Sequence, residues 1–218
     1  MTVRRCARRD PAPGEGDSAA LTENCQWTRG GNVTVFSLKS LFGRKPELKT
    51  AHALYAETIH AARRPAIFTE MGVPDTPEGR FEILALMAFL VLRRLKTEHA
   101  ARDVSQAYFD IMFEDIDSNL RELGVGDISV GKKVKKLAQS FYGRIKAYED
   151  ALAGDEAALE AALRKHPYRN MEPMDAHVTR LAKHVRHEDT CLAQQPLQAL
   201  LAGEIAFADI DTAEEGAL

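Results

Sequence analysis

Residues Ile83 to Leu92 form an unbroken run of ten apolar side chains, and no other feature of the chain limits its fold so tightly. A bilayer span needs about 20 such residues, so this run, bounded by Glu82 and by Arg93 and Arg94, has to be covered by protein on all sides. Thr76 offers an N-cap and Pro77 a first helical position, which predicts a helix from Pro77 to about Leu95 at the centre of the domain.

The flanking sequence supplies amphipathic partners for that helix. Leu48, Ala51, Leu54, Tyr55, Thr58, Ile59 and Ala62 recur at helical spacing and stop before Pro65, which cannot continue the ladder. A second pattern, from about Val104 to Leu123, places Phe109, Phe113, Ile116, Leu120 and Leu123 on one stripe beside a polar stripe of Asp110, Glu114, Asp117 and Arg121. Gly124 reads as its C-cap, and a further helix begins near Ser129 with Val134, Leu137, Phe141, Ile145 and Tyr148 facing inward. Shorter helices are expected at Glu156–Lys165, at Met174–Cys191 and after Pro196. No stretch alternates as a strand would. The fold class is therefore all-α, a single compact domain of about six to eight helices.

The expected organisation is a disordered tail over residues 1–31, an amphipathic arm over 32–46, the helical domain over 47–205 and a flexible C-terminus over 206–218. The tail carries Arg4, Arg5, Arg8 and Arg9 but also Asp10, Glu15, Asp17 and Glu23, which count against a transit peptide. It reads either as a tail or as sequence upstream of the true start. The arm, Val33 to Lys45, is short and only modestly basic, and reads as an arm packed on the domain or as a membrane anchor.

With 29 basic against 32 acidic side chains the formal charge is −3, so whole-molecule attraction to nucleic acid is excluded and no specific DNA binding is expected. The exception is local. Lys132, Lys133, Lys135, Lys136, Arg144 and Lys146 follow one another with no acid between Gly131 and Lys146. Lysines in the first turns of a helix oppose its dipole, and such a face suits phosphate, lipid head groups or an acidic protein. It also serves, in the plainer reading, as a solvated face that balances the acidic helix before it.

Other motifs point to little chemistry. Gly126 to Lys133 has the spacing of a phosphate loop, but Lys133 stands where Ser or Thr must hold magnesium, and a helix precedes it instead of a strand. Cys6, Cys25 and Cys191 make no CxxC pair, so neither a zinc site nor a disulfide framework is indicated. His184, His187 and Glu188, among Arg180, Lys183 and Arg186, read as a solvated basic face beside an apolar face of Met174, Val178, Leu181, Val185 and Leu192. No catalytic triad signature or nucleophile elbow is present.

Two blocks carry a resemblance. RRPAIFTEMGVPDTPEGRFEILALMAFLVLRRL, from Arg63 to Leu95, and SQAYFDIMFEDIDSNLRELGVGDISVGKKVKKLAQSFYGRIKAY, from Ser105 to Tyr148, resemble the ubiquinol-cytochrome c chaperone family of complex III assembly factors. With the helix from Leu48 the resemblance covers residues of about 48–160 and is weak beyond about 165. Gly72, Pro74, Asp75, Gly79, Arg80, Asp115, Asp117, Arg121, Gly124, Gly126 and Asp127 match the family's pattern, for structural or client-binding reasons.

The resemblance implies a non-catalytic chaperone without cofactor or metal, whose client is newly made cytochrome b or a similar membrane protein. Mitochondrial members work with a small partner near the ribosomal tunnel exit, so the lysine face becomes a candidate contact to the ribosome or to the membrane surface. Lacking a transit peptide, the chain resembles a bacterial member, cytoplasmic and peripheral to the inner membrane; a eukaryotic one would lie in the mitochondrial matrix. This reading predicts an exposed apolar groove wide enough for a helix beside the lysines. The alternatives are a peripheral protein binding anionic lipid and, third, a metal-dependent enzyme using His184 and His187.

Overall fold

The computed structural model describes residues 46–122, 124 and 127–210. The tail 1–31 and all of the arm but Pro46 lie outside the described residues, as do Gly126 and residues 211–218. Eight α-helices occur among the described residues: α1 (Pro46–Ala62), α2 (Pro65–Thr69), α3 (Pro77–Lys96), α4 (Arg102–Glu122), α5 (Asp127–Ala153), α6 (Glu156–Lys165), α7 (Asp175–Gln194) and α8 (Leu197–Leu201). No strand occurs among them. The all-α class follows.

The apolar run sits at the centre, as its composition requires. Ile83, Leu86, Met87 and Ala88 of α3 are fully buried, and Phe89, Leu90 and Val91 nearly so. Around it the core divides in two. One side joins α3 to α2, α6, α7 and the end of α5 through Ile67, Leu159, Leu163, Leu181, Val185 and Tyr148. The other joins it to α1, α4, α8 and the middle of α5 through Leu54, Tyr108, Phe113, Leu200 and Phe141. Helix α5, 27 residues long, therefore touches both halves.

Local chemistry sets the ends of these elements. Thr76 caps α3 by accepting from the Gly79 N–H at 3.1 Å, with Pro77 in the first turn. Asp155 caps α6 through the Ala158 N–H at 2.9 Å. Pro65 ends α1, and it also opens the five-residue α2, because a proline at N1 forfeits no helical hydrogen bond. Helix α7 starts at Asp175, and Met174 before it is 61% exposed, so Met174 leaves the apolar face on which the spacing had put it.

Beyond α8 the chain turns at Gly203, whose φ of 85° falls in the left-handed region, and runs on without helix. Residues 206–208 are bonded into the body. The Gln195 amide holds Ala206, and Glu188 and Arg64 hold Ala208.

Candidate functional site

The lysine face and the family-pattern residues both depend on how α4 and α5 pair. Phe109 and Phe113 of α4 pack on Phe141 and Tyr142 of α5, with ring centroids 5.6–6.0 Å apart across the helices. Gly124, with φ of 78° and its N–H on the Arg121 carbonyl at 2.9 Å, ends α4 as its spacing predicts. The pairing turns Val130 and Phe141 inward. It turns Lys132, Lys133, Lys135 and Lys136 outward, all exposed on one side of the first turns of α5.

Arg144 does not belong to that face. It is 6% exposed, and its guanidinium grips the buried carboxylate of Glu82 in α3, with Nε 2.6 Å from Oε2 and a second nitrogen on Oε1. The hydrogen bonds that Arg144 donates to Glu82 raise its pKa further. The physical reason is register: Arg144 lies three residues after Phe141 and four before Tyr148, within the inward stripe of α5. Lys146 is exposed but shares its charge with Asp150 at 3.0 Å. The cationic face thus consists of four lysines, with Lys146 paired nearby.

The other family-pattern residues mostly hold the scaffold. Asp115 accepts a hydrogen bond from the Tyr55 hydroxyl at 2.9 Å and ties α4 to α1. Asp117 pairs with Arg121 at 2.6 Å, one turn on. Gly72 takes a φ of 63°, and a Cβ there would lie 2.2 Å from the His177 ring. At Gly79 a Cβ would lie 2.0 Å from the carbonyl oxygen of Pro74, so the loop before α3 can close only on glycine. Gly126 and the side chain of Asp127 lie outside the described residues.

Asp75 and Arg80 are the exception, since both are more than half exposed. Arg80 holds Asp75 through two nitrogens, at 2.5 and 3.1 Å, and lies 5.9 Å from the Phe68 ring centroid. The hydrogen bond from Arg80 lowers the Asp75 pKa, and the same contact raises that of Arg80. With Arg63, Pro65 and Thr69 they line a cleft of about 180 Å³, below the roughly 300–1,000 Å³ of an ordinary ligand pocket.

Three large hydrophobic side chains are exposed among the described residues, Tyr142, Met171 and Met174, and of these Tyr142 alone shares α5 with the lysines. Beside the lysines, Phe109, Val134 and Leu137 are half-buried. Among the described residues no group of three or more His, Cys, Asp or Glu is placed to hold a metal.

What the spacing missed lies on α7. His184 and Glu188, read as solvated, are buried, Glu188 completely. Glu188 Oε1 lies 3.6 Å from Arg64 and 3.7 Å from His184 Nε2, and Oε2 accepts from the Ala208 N–H at 2.9 Å. Burial pushes the Glu188 carboxyl up from 4.5 to about 7 and the His184 imidazole down from 6.5 to about 4. The signal was present: Glu188 stands three residues after Val185 and four before Leu192, on the apolar stripe itself.

The scaffold is all-helical among its described residues and presents an exposed lysine face on α5. The chain belongs to the ubiquinol-cytochrome C chaperone family, whose model matches residues 69–207, well past the stretch that the two sequence blocks cover. It is similar to the human ubiquinol-cytochrome c reductase complex assembly factor 1, 24% identical over 156 residues, 71% of this chain and 52% of that one. The Xenopus laevis protein of the same name is 25% identical over 97 residues, 44% of this chain and 48% of that one. The chain thus spans about half the length of the curated relatives it matches. Among solved structures, the Cbp3 homolog from Brucella abortus is 40% identical, with a TM-score of 0.70 over 77% of this chain and 93% of that one. No helix among the described residues is long and apolar enough to cross a membrane.

Proposed function

We propose that this protein is a non-catalytic chaperone for the assembly of respiratory complex III, with newly made cytochrome b as its client. The observation that carries the reading is the family match over residues 69–207, joined to 40% identity with the Cbp3 homolog from Brucella abortus. The relatives' name, a reductase complex assembly factor, supports a client within that complex. An apolar membrane subunit needs its surface covered between synthesis and insertion, and a helical scaffold that binds without turnover meets that need.

Lys132, Lys133, Lys135 and Lys136 are its contact to an anionic surface, ribosomal RNA or the head groups of the inner membrane on the cytoplasmic side. Four exposed lysines grouped on one side of a helix attract such surfaces within about a Debye length, roughly 8–10 Å, even on a chain of net charge −3. Affinity capture from native cells, comparing the wild type with all four lysines changed to Glu, tests the reading. Cytochrome b or ribosomes recovered with the wild type and lost with the variant support it. Binding of the purified wild type to anionic vesicles, with neither of those recovered, favours the peripheral lipid-binding alternative.

A further inference from the structure

Residues 203–210 lie as a bound peptide lies. Past the turn at Gly203 the segment forms no helix or strand, and Ile205 and Phe207, two residues apart, pack half-buried against both halves of the core. Between and beyond them, main-chain groups are gripped by side chains of the body. The Gln195 amide donates to the Ala206 carbonyl at 2.6 Å and accepts from the Ala206 N–H at 2.9 Å. Glu188 accepts from the Ala208 N–H at 2.9 Å, and Arg64 donates to the Ala208 carbonyl.

Each of these four contacts reads the backbone of the segment and none reads a side chain. Such a clamp is indifferent to sequence, apart from apolar residues at the positions of Ile205 and Phe207 and a small residue where Ala208 is 1% exposed. The clamp also retains buried polar atoms that a merely structural contact would not need. Glu188 is wholly buried, and Glu188 Oε1 and His184 Nε2 have no hydrogen-bond partner among the described residues. Such atoms are costly in a core.

We infer that Arg64, Glu188 and Gln195, with the apolar seam between the two halves of the core, form a binding site for an extended apolar peptide. The chain's own residues 204–210 occupy it and yield to an incoming segment of the same character. The identity of that segment as a stretch of nascent membrane protein rests on the chaperone reading; the site itself does not. An apolar stretch leaving water must have its backbone N–H and C=O groups paired elsewhere, and this clamp pairs those of two residues.

Native-state hydrogen exchange on the full wild-type chain tests whether the resident leaves. The amides of Ala206 and Ala208 are expected to exchange by local opening, at least about tenfold faster than those of Leu86 and Val185. Exchange of all four only with global unfolding overturns the inference. A labelled peptide of the sequence from Glu204 to Ile210 supplies the second arm. It is expected to bind full-length Phe207→Ala, whose resident is weakened, about tenfold tighter than wild type, because a larger fraction of sites is open. Adding Gln195→Ala is expected to abolish that gain. Equal binding to wild type and Phe207→Ala, or a gain untouched by Gln195→Ala, overturns the site. Both arms use purified protein, so a chain that binds the peptide but is dispensable for complex III assembly would lose the chaperone reading and keep the peptide site.

Discussion

Arg144 of α5 closes on Glu82 of α3 across 62 positions of sequence, Nε 2.6 Å from Oε2, with both side chains under 10% exposed. The pair lies under the Phe81 ring, 5.6 Å from the guanidinium carbon, and couples the central helix to the long helix that carries the lysines. Removing one partner strands a buried charge, whereas removing both strands none. Arg144→Met is therefore expected to cost about 3–5 kcal/mol in urea unfolding. The joint change of Glu82 and Arg144 to Met should recover most of that loss. A joint variant no more stable than the single one would show that the two charges do not act as a pair.

Glu188 and His184 give opposite contributions to the pH dependence of stability. The Glu188 pKa is raised on folding, from 4.5 to about 7, so the folded state holds its proton longer and stability falls as pH rises through that window. That of His184 is lowered, from 6.5 to about 4, so its contribution is full above 6.5 and is lost as pH falls toward 4. Arg64, His187 and Asp209 also bear on the two groups; Arg64 favours the ionised carboxylate, and Asp209 opposes it. Glu188→Gln mimics the protonated acid and keeps an acceptor for the Ala208 N–H. It should match wild type near pH 4 and exceed it by about 3–4 kcal/mol at pH 8, as about 1.4 kcal/mol per pKa unit implies. Thermal melts across pH 4–8 check this, and a difference independent of pH would count against it.

Gly79 is expected to tolerate no side chain. Its missing Cβ leaves room for the Pro74 carbonyl, 2.0 Å from where that atom would sit, and its N–H is the one that Thr76 caps. Losing the cap alone, as in Thr76→Ala, costs about 1 kcal/mol. Gly79→Ala keeps the cap residue but drives a Cβ into the Pro74 carbonyl, so it should be the more damaging of the two in chemical denaturation. The reverse order would mean that the loop reorganises freely.

Tyr148 should be replaceable by Phe without loss. Its ring packs between Phe89 and His166, at 5.5 and 5.6 Å, while its buried hydroxyl has no hydrogen-bond partner among the described residues. Phenylalanine keeps the ring and removes the stranded oxygen. Unfolding should show Tyr148→Phe equal to wild type or more stable by up to about 1–3 kcal/mol; a clear loss would reveal a partner for the hydroxyl.

Periodicity carried the fold further than it carried the site. The ten-residue run, the Thr76 and Pro77 start and the Glu156–Lys165 helix stand where the sequence puts them, because caps and apolar stripes are local signals. Short α2 was hidden behind Pro65, which both stops one helix and starts another. Charge misled where helical register should have ruled. Arg144 and Glu188 each fall on an apolar stripe, although Arg144 neighbours lysines in sequence and Glu188 neighbours cations. Their true partners, Glu82 at 62 positions and Ala208 at 20, come from other elements that only the fold brings near.

The most direct test of the central claim is the amount of assembled complex III, read from the cytochrome b absorbance of membranes, in native cells lacking this protein. Loss of the cytochrome b signal, restored by the wild-type chain and poorly by the form with Lys132, Lys133, Lys135 and Lys136 changed to Glu, is the predicted result. Normal complex III in the cells that lack the protein would contradict the account.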